Sequence, residues 1–132
     1  MDTALSLPDP RSVDSRRKLA AVIMRLFDRW GLASEEQLVL LGLEKSSRAT
    51  LTRYRRGEPV SANRDMLDRI GHLLAIHKSL RLLFPENREM AYAWMRSRNR
   101  AFDRRTPVEV AGEFGFAGLL MVRAYLDRRR GQ

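Results

Sequence analysis

A chain of 132 residues fits one domain or two very small ones sharing a core, and 44% hydrophobic with 31% charged residues is a globular composition. No run approaches the roughly 20 apolar residues of a membrane span, MDTALSLPDP lacks the basic and apolar regions of a secretory leader, and the lack of cysteine rules out disulfides and thiolate metal sites; a cytoplasmic protein with no membrane partner is expected. The net charge of +9 is carried almost wholly by arginine, with lysine only at Lys18, Lys45 and Lys78, and it points to an acidic partner such as nucleic acid.

Residues 1–14, with Pro8 and Pro10, show no hydrophobic periodicity and read as a flexible arm. From Ser15 the spacing changes: Leu19, Val22, Ile23, Leu26, Phe27 and Trp30 form one helical stripe that Gly31 ends. Ser34 reads as the N-cap of a short second helix bearing Leu38, Leu40 and Leu41, with Gly42 as its stop. A third helix starts near Ser46 or Ser47 and ends at Gly57, before Glu58-Pro59. Ser61 is the expected cap of a long fourth helix whose apolar face runs through Met66, Ile70, Leu73, His77, Leu80 and Phe84 up to Pro85. A fifth helix is expected from Arg88 to about Arg98, followed by the irregular, charged SRNRAFDRR. Thr106-Pro107-Val108-Glu109 combines an N-cap, a proline at the first helical position and a glutamate placed to close a capping box, and a last helix runs from about Phe116 to Arg130. With no strand pattern and no repeat, the fold class is all-α.

The stretch SEEQLVLLGLEKSSRATLTRYRRG, two short helices about a glycine turn, has the dimensions of a helix-turn-helix. Projected at about 100° per residue, Leu51 and Tyr54 face inward, while Ser46, Ala49, Thr50, Arg53 and Arg56 face outward as small, hydroxyl and guanidinium groups able to approach base edges. Lys45, Arg48 and Arg55 flank that face and suit backbone phosphates. The plain alternative is a solvated arginine-rich surface.

Trp30-Gly31, Leu40-Leu41-Gly42, TLTRYRRG and MLDRIGHLLAIHKSLRLLFP resemble the DNA-binding half of the Xre/MbcA/ParS antitoxins. Trp94 and Asn99 in WMRSRNRAF, the Thr-Pro-Val-Glu motif and the closing GLLMVRAYLDRRRG are similar to their toxin-binding domain, so the likeness runs from about Trp30 to Arg130. The resemblance implies an Xre-like helix-turn-helix bundle over residues 15–85 and a small helical toxin-binding domain over 86–132. It also implies a homodimer that represses its own operon by binding operator DNA and neutralises a RES-domain toxin, an enzyme type that destroys NAD. The chain departs from the family pattern in having Arg98 where proline precedes the asparagine, and Arg104-Arg105 where glycine precedes the Thr-Pro; both enlarge the positive patch.

On the last helix Leu119, Val122 and Leu126 form a core stripe, with Phe116 and Leu120 beside it, while Met121 and Tyr125 are expected to point away as a face for a toxin or second subunit. Burial on two sides within one fold explains the same pair equally well. The tail Arg128, Arg129, Arg130, Gly131, Gln132 is a candidate plug for an acidic or nucleotide-binding cleft, a use the resemblance favours; a basic helix end complementing the helix dipole is the alternative. His72 and His77, five apart, do not share a chelating face, and His77 reads as a hydrogen-bonded core histidine. No phosphate loop or nucleophile setting is found, so no enzyme, cofactor or metal is expected. A helix-turn-helix repressor without a toxin partner is the competing function.

Overall fold

The computed structural model describes residues 9–131; the first eight residues of the expected flexible arm and the expected toxin contact of Gln132 lie outside them. Among the described residues six α-helices follow one another: α1 (Val13–Arg29), α2 (Ser34–Leu40), α3 (Arg48–Arg55), α4 (Arg64–Leu83), α5 (Arg88–Ala93) and α6 (Pro107–Arg130). Short 3-10 turns at Lys45–Ser47, Trp94–Arg96 and Arg100–Phe102 lead into α3, extend α5 and cross the charged loop. Among the described residues the β pairing is limited to an isolated bridge between Asn99 and Arg105.

Three caps differ from expectation. α1 begins at Val13, two residues before the expected change of pattern, because the Ser12 side chain accepts from the Ser15 amide. α2 is capped at Ala33, one residue before Ser34; alanine has no side-chain acceptor, and Glu36 reaches back instead to accept from the Ala33 amide at 2.9 Å. α4 is capped by Asn63, whose Oδ1 accepts from the Met66 amide at 2.8 Å, and Ser61 accepts from the Asn63 amide in the turn before it. At α6 the threonine cap forms, Thr106 Oγ1 accepting from the Glu109 amide at 3.0 Å with Pro107 next, but the expected capping box does not close, because the Glu109 side chain turns to Arg98 instead. The Glu109 carboxylate lies 3.7 Å from Arg98.

One apolar core joins all six helices, with Ile23, Phe27 and Trp30 of α1, Ile70, Leu73, Ile76 and Leu80 of α4, Met95 after α5, and Leu119 and Val122 of α6 fully or almost fully buried. Val22, expected on the core stripe, is 42% exposed, and Met24 is buried in its place. Both lie about 100° from Ile23, on opposite sides of it. Trp30 Nε1 is buried and has no hydrogen-bond partner among the described residues.

α6 is two helices joined at Gly115, whose φ of 63° and ψ of −139° lie outside the helical region. Residues 116–130 turn back so tightly that a Cβ at Gly118 would lie 2.3 Å from the Val110 carbonyl oxygen. Their core stripe then packs against α4, which also contacts α1 and α5 and so joins the two ends of the chain.

Candidate nucleic-acid interface and partner-binding face

α2 and α3 form the expected helix-turn-helix. Gly42 takes φ +67° in the turn, a backbone conformation that favours glycine, and a Cβ there would also push aside the Arg69 guanidinium. The Leu43 amide donates back to the Leu38 carbonyl at 2.8 Å and closes the end of α2. Buried Gln37 donates to the Leu32 carbonyl at 2.9 Å, and Leu51 and Tyr54 pack inward from α3.

The eight residues expected at DNA have different surroundings. Lys45, Ser46, Arg48, Ala49, Arg53, Arg55 and Arg56 are exposed and Thr50 is half-buried, so the outer face of α3 is open as expected. Arg53 Nη2 donates to Thr50 Oγ1 at 3.0 Å and its Nε lies 3.7 Å from Glu58, which holds its guanidinium along the helix. Arg48 stands 3.5 Å from Glu35, while Lys45 and Arg56 form no ion pair among the described residues.

Arg55 has a partner within the chain that its sequence position did not announce. Its Nη1 and Nη2 donate to Asp28 Oδ2 and Oδ1 at 3.0 and 2.9 Å, a two-pronged fork that fastens α3 to α1, and Nη2 also reaches Gln37 Oε1 at 3.4 Å. The hydrogen bonds from Arg55, opposed by partial burial and aided by its charge, hold the Asp28 carboxyl below its ordinary range, and the same pair raises the Arg55 guanidinium. Arg55 is therefore occupied within the monomer. Twenty-seven residues separate the two partners, so no local spacing signals the brace.

On α6, Met121 is 46% exposed, as expected, but Tyr125 does not share its surroundings. The Tyr125 ring stacks on Trp94 with centroids 6.1 Å apart and meets Phe102 edge-on at 5.2 Å. Tyr125 lies only about 60° from Val122 around the helix, near enough for aromatic rings from the preceding loop to enclose it. Leu120, placed beside the core from sequence, is 40% exposed; it lies on the far side from Val122. Arg128, Arg129 and Arg130 occupy the last turn of α6 with Gly131 as its C-cap, and Arg130 Nη1 donates to buried Ser79 at 3.2 Å.

The two histidines lie apart and in different roles. Arg123 Nη1 donates to His72 Nδ1 at 2.7 Å, which leaves the imidazole proton on Nε2, and Phe116 meets the ring edge-on at 5.5 Å. Burial and the Arg123 charge push the His72 pKa down, against a weaker pull from Asp68. His77 sits at the rim of the core, not inside it, stacked on Tyr92 at 6.3 Å; burial and the charges of Arg81 and Arg29 lower its pKa. Among the described residues no three His, Cys, Asp or Glu side chains gather to hold a metal, and no helix is long and apolar enough to cross a membrane.

In the loop before α6, Asp103 and Arg104 both take left-handed φ, 57° and 66°. Arg104 is one of the two arginines standing where the family pattern carries glycine, and its backbone takes the conformation glycine adopts without strain. Arg98 Nη1 donates to the Arg104 carbonyl at 3.0 Å and supports the turn.

Residues 9–75 match the family described as the antitoxin Xre-like helix-turn-helix domain, and residues 79–131 match the antitoxin Xre/MbcA/ParS C-terminal toxin-binding domain. The chain belongs to the Xre/MbcA/ParS antitoxins. The antitoxin is also 34% identical over 123 residues to the uncharacterized protein y4oB of Sinorhizobium fredii, covering 91% of this chain and 92% of that protein. Both matched families are non-enzymatic, and the antitoxin combines a helix-turn-helix segment for DNA with a segment for a toxin.

Proposed function

We propose that this antitoxin neutralises a RES-domain, NAD-degrading toxin in the cytoplasm and, as a homodimer, represses its own operon by placing α3 on operator DNA. The observation that carries the DNA half is the exposed surface of α3 and of the residues that flank it: Ser46, Ala49 and Thr50 are small enough for close approach, Arg53 is steadied by Thr50, and Lys45 and Arg56 lack carboxylate partners among the described residues. Arg48 joins them at the phosphates, and Arg55 acts by holding α3 in place.

The toxin half rests on the matched C-terminal family, and the RES identity on the resemblance of the tryptophan, asparagine and Thr-Pro-Val-Glu succession. Within residues 86–132, Met121 and the Arg128 to Arg130 turn offer the contact, with Tyr125 supporting it from beneath and Gly131 and Gln132 completing the tail. Residues 15–85 form the DNA-binding unit.

Co-expression with the toxin encoded beside it is expected to give a stoichiometric complex and relief of NAD loss. Deleting residues 127–132 should impair neutralisation and leave operator binding, measured by fluorescence anisotropy, within about twofold. Equal loss of both functions in a variant that still melts cooperatively would sink the division of labour. Operator binding with no toxin complex would leave a repressor alone.

A further inference from the structure

Between α1 and α4 lies a cleft of about 160 Å³, lined by Val22, Arg25, Leu26 and Arg29 from α1 and by Leu74 and His77 from α4. Three of its lining residues are apolar, Val22, Leu26 and Leu74, the other three are Arg25, Arg29 and His77, and no acidic residue lines it. Arg81 adds a third guanidinium charge beside His77. Arg29 is fixed in direction, because its Nη1 donates to the Tyr92 hydroxyl at 3.1 Å and its guanidinium lies 6.0 Å from the centre of that ring, which in turn stacks on His77. Arg25 and Arg81 form no ion pair among the described residues.

Arginines beside apolar side chains, with no acidic residue in the lining, match a carboxylate carried on a short hydrocarbon stem. The volume suits one such side chain and is too small for a nucleotide. Arg29 also lines a second depression beside α5, with Glu89 and Arg96, so the two lie next to each other on one surface. Asp28, the α1 residue that fastens α3, is not among the residues lining the cleft.

We infer that the α1–α4 cleft is a docking subsite for an aspartate or glutamate side chain on the surface of the toxin. This rests on the toxin-binding reading above and extends it: the matched toxin-binding family begins at residue 79, whereas the cleft is built from α1 and the middle of α4. The partner then grips both matched segments at once.

The test uses the full chain co-purified with the toxin encoded beside it. Arg25→Glu and Val22→Asp alter exposed side chains, and a melting curve checks that each variant folds. Each is expected to weaken the toxin complex more than about tenfold by titration calorimetry, while the salt slope of operator binding stays as in wild type. Reversing acidic surface residues of the toxin one at a time to arginine should restore affinity for Arg25→Glu at one position. An unchanged toxin complex overturns the inference and leaves the antitoxin reading intact. A lowered salt slope with full toxin affinity reassigns the cleft to DNA phosphate, and loss of the dimer alone reassigns it to a second copy of this chain. Failure of the wild-type chain to bind the toxin ends both readings.

Discussion

Arg55 and Arg56 are neighbours with the same side chain, and the tertiary surroundings give them different work. Arg55 is held by both oxygens of Asp28, whereas Arg56 has no carboxylate partner among the described residues. Both members of the Asp28–Arg55 pair are substantially exposed, at 57% and 41%, so solvent screening limits its net stabilisation to less than about 1 kcal/mol. It ties α3 to α1 by two hydrogen bonds to one carboxylate. Counterion release gives the contrast a sharp readout: Arg56→Ala should flatten the slope of log K against log salt for operator DNA by about 0.9. Arg55→Ala should leave that slope unchanged while lowering sequence discrimination as α3 loses its brace. Equal slope losses from the two variants would return Arg55 to the phosphate contacts.

At the scale of the element, α6 carries the sharpest constraint. The bend at Gly115 folds residues 116–130 back toward residues 107–114, and the two segments approach most closely where Gly118 meets the Val110 carbonyl. The clash at Gly118 would be with backbone, which has no alternative rotamer. Gly118→Ala is therefore expected to cost about 1–3 kcal/mol as overpacking, a fall in Tm of roughly 4–12 °C for a chain of this size, read by calorimetry. A Tm within 1 °C or so of wild type would mean that the bend opens without penalty. The Thr106-Pro107 signal and the start near Phe116 mark both segments in the sequence, and the left-handed Asp103 and Arg104 before them carry no comparable mark, since the glycine that would announce the turn is absent.

For the molecule as a whole, the joint between α4 and α6 determines how the DNA-binding and toxin-binding segments are held together. His72 and Arg123 form part of it, and their hydrogen bond requires an unprotonated Nδ1. Because burial and Arg123 depress the His72 pKa, the unfolded chain binds the proton more readily than the folded one. Stability from this group is complete above the ordinary imidazole value of about 6.5 and is lost as pH falls below it toward the depressed folded value. His77 contributes with the same sign. Urea midpoints should thus fall between about pH 6.5 and 5, and His72→Gln, whose amide oxygen can still accept from Arg123, should show a shallower fall. An identical profile for the two proteins would remove His72 from the linkage.

Much of this architecture was legible because it is periodic and local. The apolar stripes of α1 and α4, the turn at Gly42, the stop at Gly57 and the threonine cap at Thr106 depend on neighbours within a few residues, and they determined an all-helical chain with a basic third helix. The resemblance carried by short motifs extended that to the antitoxin family. What only the tertiary structure decided depends on groups far apart along the chain: the fork from Arg55 to Asp28, the enclosure of Tyr125 by Trp94 and Phe102, the exposure of Val22, and the cationic cleft between α1 and α4. Helical phase sets the direction in which a side chain leaves its own axis; whether that direction meets solvent, an aromatic ring or a carboxylate depends on which other helix is packed there.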